Sequence, residues 1–297
     1  MGSMHVRALA RTTPGVELAA VVEPSDEAVR RLALPVRRFR ETSELLSYPG
    51  IDGAIVAVPT RSHREVVSQL LDAGLPVLCE KPCGLTTDET AVLAQRAHAS
   101  GVPLHVGYWR RFVPVLRELQ RRIADGALGE IHVVFCAQWD ERPPPASFRD
   151  PLSSGGIVVD MGVHEFDQLR WLTGDEVTEV TGAASTVCWD PPVEGDPESV
   201  SLAIRLAGGA TGLVSLVRRH PPGEVCRVEV LGTQAAARLE FVAPPNGEET
   251  MLEALCAQVE DFAAATGGAV SAGASVDDAA RALEIAERAR ATVRLDD

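Results

Sequence analysis

Two groups of residues in this sequence have the types and spacing for proton-transfer chemistry. The stretch CEKP places Glu80 and Lys81 at the end of a short apolar run, and DMGVHEFD places Asp160, His164 and Asp167 close together. On a single helix the last three would share one face, so that a carboxylate could orient the imidazole and favour its protonated form. Such a set suits general acid–base catalysis.

Each of these residues also has a structural interpretation. Lys81 could be an exposed lysine at a strand end, Asp160 could cap a helix, and His164 could be a half-buried histidine satisfied by its neighbours. Arg110 and Arg111 in GYWRRF would ordinarily form a solvated face, but at a junction of two domains they could hold a polar substrate. Residue types alone leave both interpretations open.

The apolar pattern indicates the elements that position these residues. Short runs rich in Val, Ile and Leu alternate with helix-like stretches from residue 16 to 107, which is typical of buried parallel strands joined by crossover helices. The predicted strands are VELAAVV, GAIVAVP, PVLCEKP and PLHVGYW. The predicted helices are Met1 to Arg11, Glu41 to Ser47, Ser62 to Ala73 and Thr87 to Ala99, the last capped by Thr86, Thr87 or Asp88. Glu80 and Lys81 then lie at the carboxyl end of a strand, where such sheets bind ligands.

From about Trp109 the pattern changes. A helix is predicted at Pro114 to Asp125, and EIHVVFCAQWD alternates with period two, as in a half-buried antiparallel strand. Its apolar face would carry Ile131, Val133, Phe135, Ala137 and Trp139. Later segments predict hairpins that turn at Gly208-Gly209 and near Gly232, and a surface loop at Pro191 to Pro197.

These patterns predict an α/β doubly wound domain over residues 1–109. An α+β domain with a mostly antiparallel open sheet is predicted to follow over residues 110–297.

Composition narrows the class of protein. The 42 acidic and 28 basic residues give a formal charge of -14, which argues against nucleic-acid binding. No apolar run reaches the roughly 18–20 residues of a membrane span, and no signal peptide is evident, so we expect a cytoplasmic protein. The six cysteines are sparse and are expected to be reduced thiols, and the C-x-x-x-C spacing of Cys79 and Cys83 does not predict a metal site.

Taken in order, several blocks resemble the Gfo/Idh/MocA family of nicotinamide-dependent oxidoreductases, in particular its inositol 2-dehydrogenase branch. The blocks are PGVELAAVVEPS, VPTRSHREVV, LDAGLPVLCEKP, GYWRRFVP, RPPPASFRDPLSSGGIVVDMGVHEFDQLRWL and RVEVLGT. The resemblance implies a Rossmann domain followed by an α+β substrate domain whose open sheet makes the oligomer contact.

The resemblance also implies catalytic and substrate-binding roles. Lys81 matches the lysine of the family's E-K-P motif, which touches both the substrate hydroxyl and the cofactor. Asp160 and His164 match its D-x-x-x-H pair, with His164 as the general base. Asp167 matches a supporting carboxylate, and Arg110 matches an arginine near the polyol.

Cofactor-binding roles are implied for residues of the first domain. Glu23 ends a strand where an acidic side chain binds the adenosine ribose and repels a 2'-phosphate, so we expect NAD rather than NADP. Thr60 and His63 match a loop close to the nicotinamide, and Glu80 and Lys81 belong to the same edge.

The start of the sequence bears on the phosphate-binding turn. MGSMH resembles the end of the family's G-x-G-x-M-G turn, with Gly2 as its third glycine. We therefore expect that about a dozen residues, including the first strand, precede Met1 in a complete domain. An internal start codon, a shortened chain and a cloning remnant MGS are the alternatives.

One segment departs from the family pattern. The inositol enzymes carry aromatic residues where RRHPPGEVC has His220, Pro221 and Pro222. Because this segment lines the substrate in the family, the identity of the polyol stays open.

The leading functional prediction is an NAD-dependent dehydrogenase acting on a secondary alcohol of a cyclitol or sugar, and active as a homodimer or homotetramer. The alternatives are a keto-sugar reductase of a biosynthetic pathway and a catalytically silent sensor.

Overall fold

The structure is a computed structural model, and it describes residues 1–11, 15–32, 35–187 and 196–293. Most of the predicted loop Pro191 to Pro197 lies outside the described residues. None of the described helices is both long enough and apolar enough to cross a membrane.

The first part of the chain alternates short strands with helices, as predicted. Its helices are α1 (Gly2–Leu9), α2 (Asp26–Leu32), α3 (Thr42–Leu46), α4 (His63–Asp72) and α5 (Thr87–Ser100). Its strands are β1 (Ala20–Val22), β2 (Arg37–Phe39), β3 (Ala54–Val56), β4 (Val77–Cys79) and β5 (Leu104–Val106). Thr86 caps α5, because its side chain accepts a hydrogen bond from the Glu89 amide.

These strands form two parallel pieces of sheet. β1 pairs with β2, and β3, β4 and β5 pair in that order. Within the described ranges no ladder joins β1 to β3.

The second part begins with a 3₁₀ turn at Trp109–Phe112 and continues with longer elements. Its helices are α6 (Pro114–Ala124), α7 (Ala146–Arg149), α8 (Pro151–Ser154), α9 (Gly156–Asp160), α10 (Gly162–Thr173), α11 (Gly247–Thr266) and α12 (Val276–Thr292). Its strands are β6 (Ile131–Trp139), β7 (Val177–Ser185), β8 (Ser199–Leu206), β9 (Thr211–Val217), β10 (Val225–Gly232), β11 (Ala236–Val242) and β12 (Ala274–Ser275). The predicted turns at Gly208-Gly209 and just after Gly232 are both present.

The large sheet runs in the order β11-β10-β6-β9-β8-β7 and is mostly antiparallel, with a parallel pair at β6 and β9. On β6, the face that is buried against the core is not the more apolar face of the strand. Val134 and Cys136 are fully buried, whereas Val133 and Phe135 on the opposite face are only partly covered. The alternation is therefore correct as predicted, but the apolar face of β6 belongs to the open side of the sheet.

Two elements near the end of the chain tie the parts together. β12 pairs antiparallel with β5, so residues of the predicted second domain complete the first sheet. α12 packs against both α5 and α10. The Ser275 side chain caps α12, and Asp278 completes a capping box. These contacts fix α10, which carries His164, against the carboxyl edge of the parallel strands.

Candidate active site

Lys81 lies where the two parts of the chain meet. β4 ends at the fully buried Cys79, and the Glu80 and Lys81 side chains follow at the carboxyl edge of the sheet. The Lys81 ammonium donates to the Asp160 carbonyl oxygen at 2.7 Å and to its carboxylate Oδ1 at 3.1 Å. The Lys81 side chain is only 15% exposed, so the interpretation as an exposed strand-end lysine is wrong.

The Asp160 carboxylate lies between two cations. Its Oδ1 accepts from Lys81, and its Oδ2 accepts from the Arg218 guanidinium at 2.6 Å. Burial alone would raise the pKa of Asp160, but the Lys81 and Arg218 charges outweigh it and hold the pKa below its ordinary value. Asp160 is therefore ionised.

The pairing of Asp160 with His164 that the spacing predicts is not found. Asp160 ends α9 and Met161 separates it from α10, so the two side chains do not stand on one continuous helix. Both Asp160 oxygens bond to Lys81 and Arg218 instead. Asp160 does not cap α10 either, because the N-cap position is Met161.

The His164 ring lies in a nearly closed apolar setting. The residue is 7% exposed, and its edge-to-face neighbours are Tyr108 at 5.9 Å and Trp109 at 6.5 Å between ring centroids. Nδ1 is buried and has no hydrogen-bond partner among the residues that the structure describes, which leaves Nε2 as the accessible nitrogen. Burial, then the Lys81 and Arg110 charges, lowers the pKa of His164 well below its usual value. The imidazole is therefore neutral near pH 7, contrary to the expectation of a protonated form.

Arg110 and Arg111 are internal residues, so the interpretation as a solvated face is wrong. Arg110 donates to Glu165 Oε1 at 2.6 Å and to Gln138 Oε1 at 2.7 Å. Arg111 forms a two-pronged pair with the buried Asp167, at 3.0 and 2.6 Å. Both oxygens of Asp167 are thus engaged within the protein. These pairs anchor α10 on either side of His164.

Two half-buried carboxylates border the Lys81–Asp160 contact. Asp140 follows β6, accepts from the Gln138 side-chain amide at 3.1 Å, and lies close enough to Asp160 for the two charges to interact. Glu224 lies near Asp140, and burial raises the pKa of both. Gln138 and the hydrogen bond it donates connect Arg110 to this part of the site.

Sequence reasoning missed Arg218 and Asp196. Arg218 follows the apolar strand β9 directly, and its other amino group donates to Asp196 Oδ1 at 3.1 Å. Asp196 Oδ1 also accepts from the Ile157 amide at the start of α9. The one available signal is that a charged residue ends the apolar run GLVSLV, which is common in strands.

The first turn of α1 lies at the same edge of the parallel sheet. A Cβ on Gly2 would lie 3.9 Å from Ala57, just beyond β3, and the buried His5 bonds to Glu80 Oε1 at 2.6 Å. Burial would raise the pKa of Glu80, but His5 and Lys81 outweigh it, so the carboxyl is ionised. Gly107 permits this arrangement, because a Cβ there would lie 3.2 Å from the Glu80 backbone.

The other expected cofactor residues follow neighbouring strands. Glu23 comes directly after β1, is half-buried, and accepts a hydrogen bond from the Ser25 amide at 2.8 Å. Thr60 begins a 3₁₀ turn after β3. The His63 ring lies between the Pro82 and Val58 carbonyl oxygens, 2.8 Å from Nδ1 and 2.9 Å from Nε2. Burial lowers the pKa of His63, so the neutral ring donates to one of these oxygens while its other nitrogen faces the second.

Comparison with known proteins identifies the family. Residues 1–108 match the model of an oxidoreductase family with an NAD-binding Rossmann fold, and residues 116–238 match the Gfo/Idh/MocA C-terminal domain. The chain is 45% identical to the rhizopine catabolism protein MocA of Rhizobium meliloti over 97% of its own length and 90% of that protein. The chain belongs to the Gfo/Idh/MocA family of oxidoreductases. The predicted family, the Rossmann fold and the use of NAD are thereby confirmed.

Two further relatives illustrate the range of the family. The scyllo-inositol 2-dehydrogenase (NAD(+)) of Bacillus subtilis is 30% identical, with 89% of this chain and 82% of that protein covered. GenD2 from gentamicin A biosynthesis, solved in complex with NAD, superposes with a TM-score of 0.88 at 26% identity, covering 98% of this chain and 90% of that one. Each covers both parts of the chain.

The residues at the carboxyl edge fit a dinucleotide. Within the described part of the chain, no side chain caps the N-terminus of α1, and the buried Nδ1 of His5 in its first turn has no hydrogen-bond partner. Glu23 offers a second carboxylate oxygen that accepts no hydrogen bond among the described residues. Amide donors at a helix start suit a pyrophosphate, and a strand-end carboxylate suits a ribose.

Proposed function

We propose that this protein is an NAD-dependent dehydrogenase that oxidises a secondary alcohol of a cyclitol or sugar. The observation that carries the proposal is the meeting of Lys81, from the first part of the chain, with Asp160, beside a neutral His164 on α10. The named activity of the scyllo-inositol relative supports the choice of a cyclitol.

The cofactor would be held along the carboxyl edge of the parallel strands. We infer that the α1 amides at Gly2 hold the pyrophosphate, Glu23 the adenosine ribose, and Thr60 the nicotinamide end, beside Glu80 and Lys81. His63, whose ring nitrogens face two backbone carbonyls, would position the Thr60 turn rather than touch the cofactor. When bound, NAD supplies the acceptor for the hydride that leaves the carbinol carbon.

His164 would remove the hydroxyl proton. Its accessible Nε2 is neutral near pH 7 and can accept the proton as the O–H bond breaks. Lys81 would donate a hydrogen bond to the same oxygen and stabilise the negative charge that develops there. Asp160 would keep the Lys81 ammonium in place, because its carboxylate and carbonyl oxygens both accept from Nζ.

Arg110 and Asp167 would act on the substrate mainly through α10. Arg110 is bonded to Glu165 and Gln138, and Asp167 is bonded to Arg111, so neither is a free group at the surface of the site. We infer that Arg110 orients Gln138 and, through it, Asp140, whose remaining oxygen can accept a polyol hydroxyl.

A second copy of the chain is the proposed occupant of the open sheet face. Phe135, Leu213 and Leu231 lie on neighbouring strands of that face, and the two leucines are 47% and 41% exposed. A contiguous exposed apolar patch is typical of an interaction surface. The buried free thiols of Cys79, Cys83, Cys136 and Cys226 are consistent with the proposed cytoplasmic location.

The proposal is tested by measuring NAD binding by calorimetry and then turnover with a panel of inositol stereoisomers and sugars, in both directions. Dehydrogenase activity with one or more cyclitols, lost in the His164→Ala variant, is the expected result. Measurable NAD binding without turnover of any panel member would overturn the proposed substrate class. Lack of NAD binding would overturn the assignment of the cofactor site in this chain.

A further inference from the structure

Arg218 is a fully buried cation that the catalytic scheme so far does not use. It is 0% exposed and has the largest side chain among the fully buried residues. One amino group donates to Asp160 Oδ2 at 2.6 Å and the other to Asp196 Oδ1 at 3.1 Å. The guanidinium therefore connects two carboxylates that are 36 residues apart in the chain.

The surroundings of Arg218 show why this arrangement is rigid. A buried charge is expensive unless it is paired and hydrogen-bonded, and the planar guanidinium fixes the directions of its donors. Asp196 is itself 0% exposed and is held by the Ile157 amide at 2.6 Å, at the start of α9. Because Asp160 ends the same helix, Arg218 is connected to both ends of α9, directly at Asp160 and through Asp196 at the Ile157 amide.

We propose that Arg218 is a positioning residue for the reaction: it holds the Asp160 carboxylate against the Lys81 ammonium and keeps that carboxylate from pairing with His164. The inference rests on the proposed function, since it concerns the residues assigned to proton transfer. Arg218 touches neither Lys81 nor His164 through a hydrogen bond, so its effect would pass through Asp160.

Other charged groups also act on His164 and Asp160, in addition to Arg218. His164 faces the Lys81 and Arg110 charges and the Tyr108 ring, and Asp160 also faces the Asp140 carboxylate. Without Arg218, Asp160 Oδ2 would lose its hydrogen bond and Asp140 would repel it. The carboxylate would then be free to turn away from Lys81 and to accept a hydrogen bond from a ring N–H of His164.

Two variants separate orientation from charge. Arg218→Lys keeps one positive charge but cannot bridge both carboxylates, because a lysine lacks the fork of donors. The double variant Arg218→Met with Asp196→Asn removes the charge and also neutralises Asp196, so that no unpaired buried carboxylate remains to unfold the protein. Arg111→Lys is the matched control, since Arg111 is also buried and also contacts two carboxylates, Asp167 and Asp278.

Two readouts are needed for each variant. The first is kcat and KM across pH with the best cyclitol and NAD. The second is the NMR titration of the His164 ring, assigned by its absence from the spectrum of the His164→Gln protein. Because the titration needs no turnover, it decides the role of Arg218 even if every tested cyclitol fails and the proposed function falls.

We expect the double variant to lose about 10- to 100-fold in kcat with little change in KM for NAD, and the His164 titration to move to higher pH. Arg218→Lys should give a smaller loss. Arg111→Lys should lower stability while the His164 titration stays in place. The proposal is overturned if the titration is unchanged in both Arg218 variants, or if Arg111→Lys moves it as far as they do.

Discussion

The sharpest prediction concerns the replacement of His164 by glutamine. The structure predicts that this change removes the proton acceptor and leaves the fold intact. His164 Nδ1 has no hydrogen-bond partner in the described ranges of the chain, so no buried group described there loses its own partner when the ring is removed. What is lost is the pair of edge-to-face contacts with Tyr108 and Trp109.

The two effects differ enough in size to be separated. Ring contacts of this kind contribute about 0.5–1.5 kcal/mol each, so the free energy of unfolding should fall by at most about 3 kcal/mol. Loss of a positioned general base lowers kcat by roughly 10²- to 10⁴-fold, which is about 3–5 kcal/mol of transition-state stabilisation. The protein should therefore stay folded at 25 °C and still bind NAD, with its turnover nearly abolished.

The pH profile supplies an independent check. Burial and the Lys81 and Arg110 charges lower the pKa of His164, so in the parent protein kcat/KM for oxidation should fall only on the acid side of about pH 6.5. Below that pH the unfolded chain takes up a proton that the folded protein does not, so stability should also fall with pH, and less so in the glutamine variant.

The measurements are NADH formation across pH and urea unfolding, with His105→Gln as the control. His105 is a partly buried histidine of β5 that contacts Phe262, away from the Lys81–Asp160 contact. Turnover within about threefold of the parent in the His164 variant would refute its role as the base. An acid limb above pH 6.5 in the parent would refute the electrostatic reasoning.

Four further predictions follow from the same contacts. Lys81→Met should reduce kcat by roughly 10²- to 10⁴-fold with NAD binding retained, as measured by steady-state kinetics and calorimetry. Glu23→Gln should lower the preference for NAD over NADP by about tenfold in kcat/KM, because the carboxylate no longer binds the ribose or repels a 2'-phosphate. Arg110→Met should lower the free energy of unfolding by about 3–5 kcal/mol, measured by urea denaturation, because it leaves the buried Glu165 carboxylate without its cation. Leu213→Glu should convert the expected oligomer to a monomer of 31.6 kDa in light scattering, and an unchanged mass would argue against the open face as the interface.

The strands of the fold are well predicted where burial requires apolar side chains. The strands β3, β4 and β5 lie within the predicted apolar runs, because strands of a parallel sheet that is covered on both faces are mostly apolar. By contrast, β2 carries Arg37 and Arg38 and escapes the apolar pattern, because its side chains are at most half-buried. The alternation of β6 is present as predicted, but alternation alone does not tell which face packs on the core, because an interaction surface and a core face can be equally apolar.

The site is predictable in its members but not in its pairings. Lys81, Asp160 and His164 stand out because they match family motifs: Lys81 follows a strand, Asp160 ends α9, and His164 lies in the first turn of α10. Which groups bond to Asp160 depends on Arg218, which is 58 residues away in the chain, and on the break between α9 and α10. Local spacing carries no information about a partner that arrives from another strand.

The observed pairing is the one that the proposed oxidation requires. If Asp160 were bonded to His164, the carboxylate would favour the imidazolium, which has no lone pair left to accept the hydroxyl proton. Lys81 would at the same time lose the carboxylate that holds its ammonium beside the reacting oxygen. Because the Asp160 carboxylate is shared between Lys81 and Arg218, it pairs with these two cations, and His164 faces the positive charges of Lys81 and Arg110 and two aromatic rings. The same interactions that hold the Lys81 side chain in place therefore leave the base neutral.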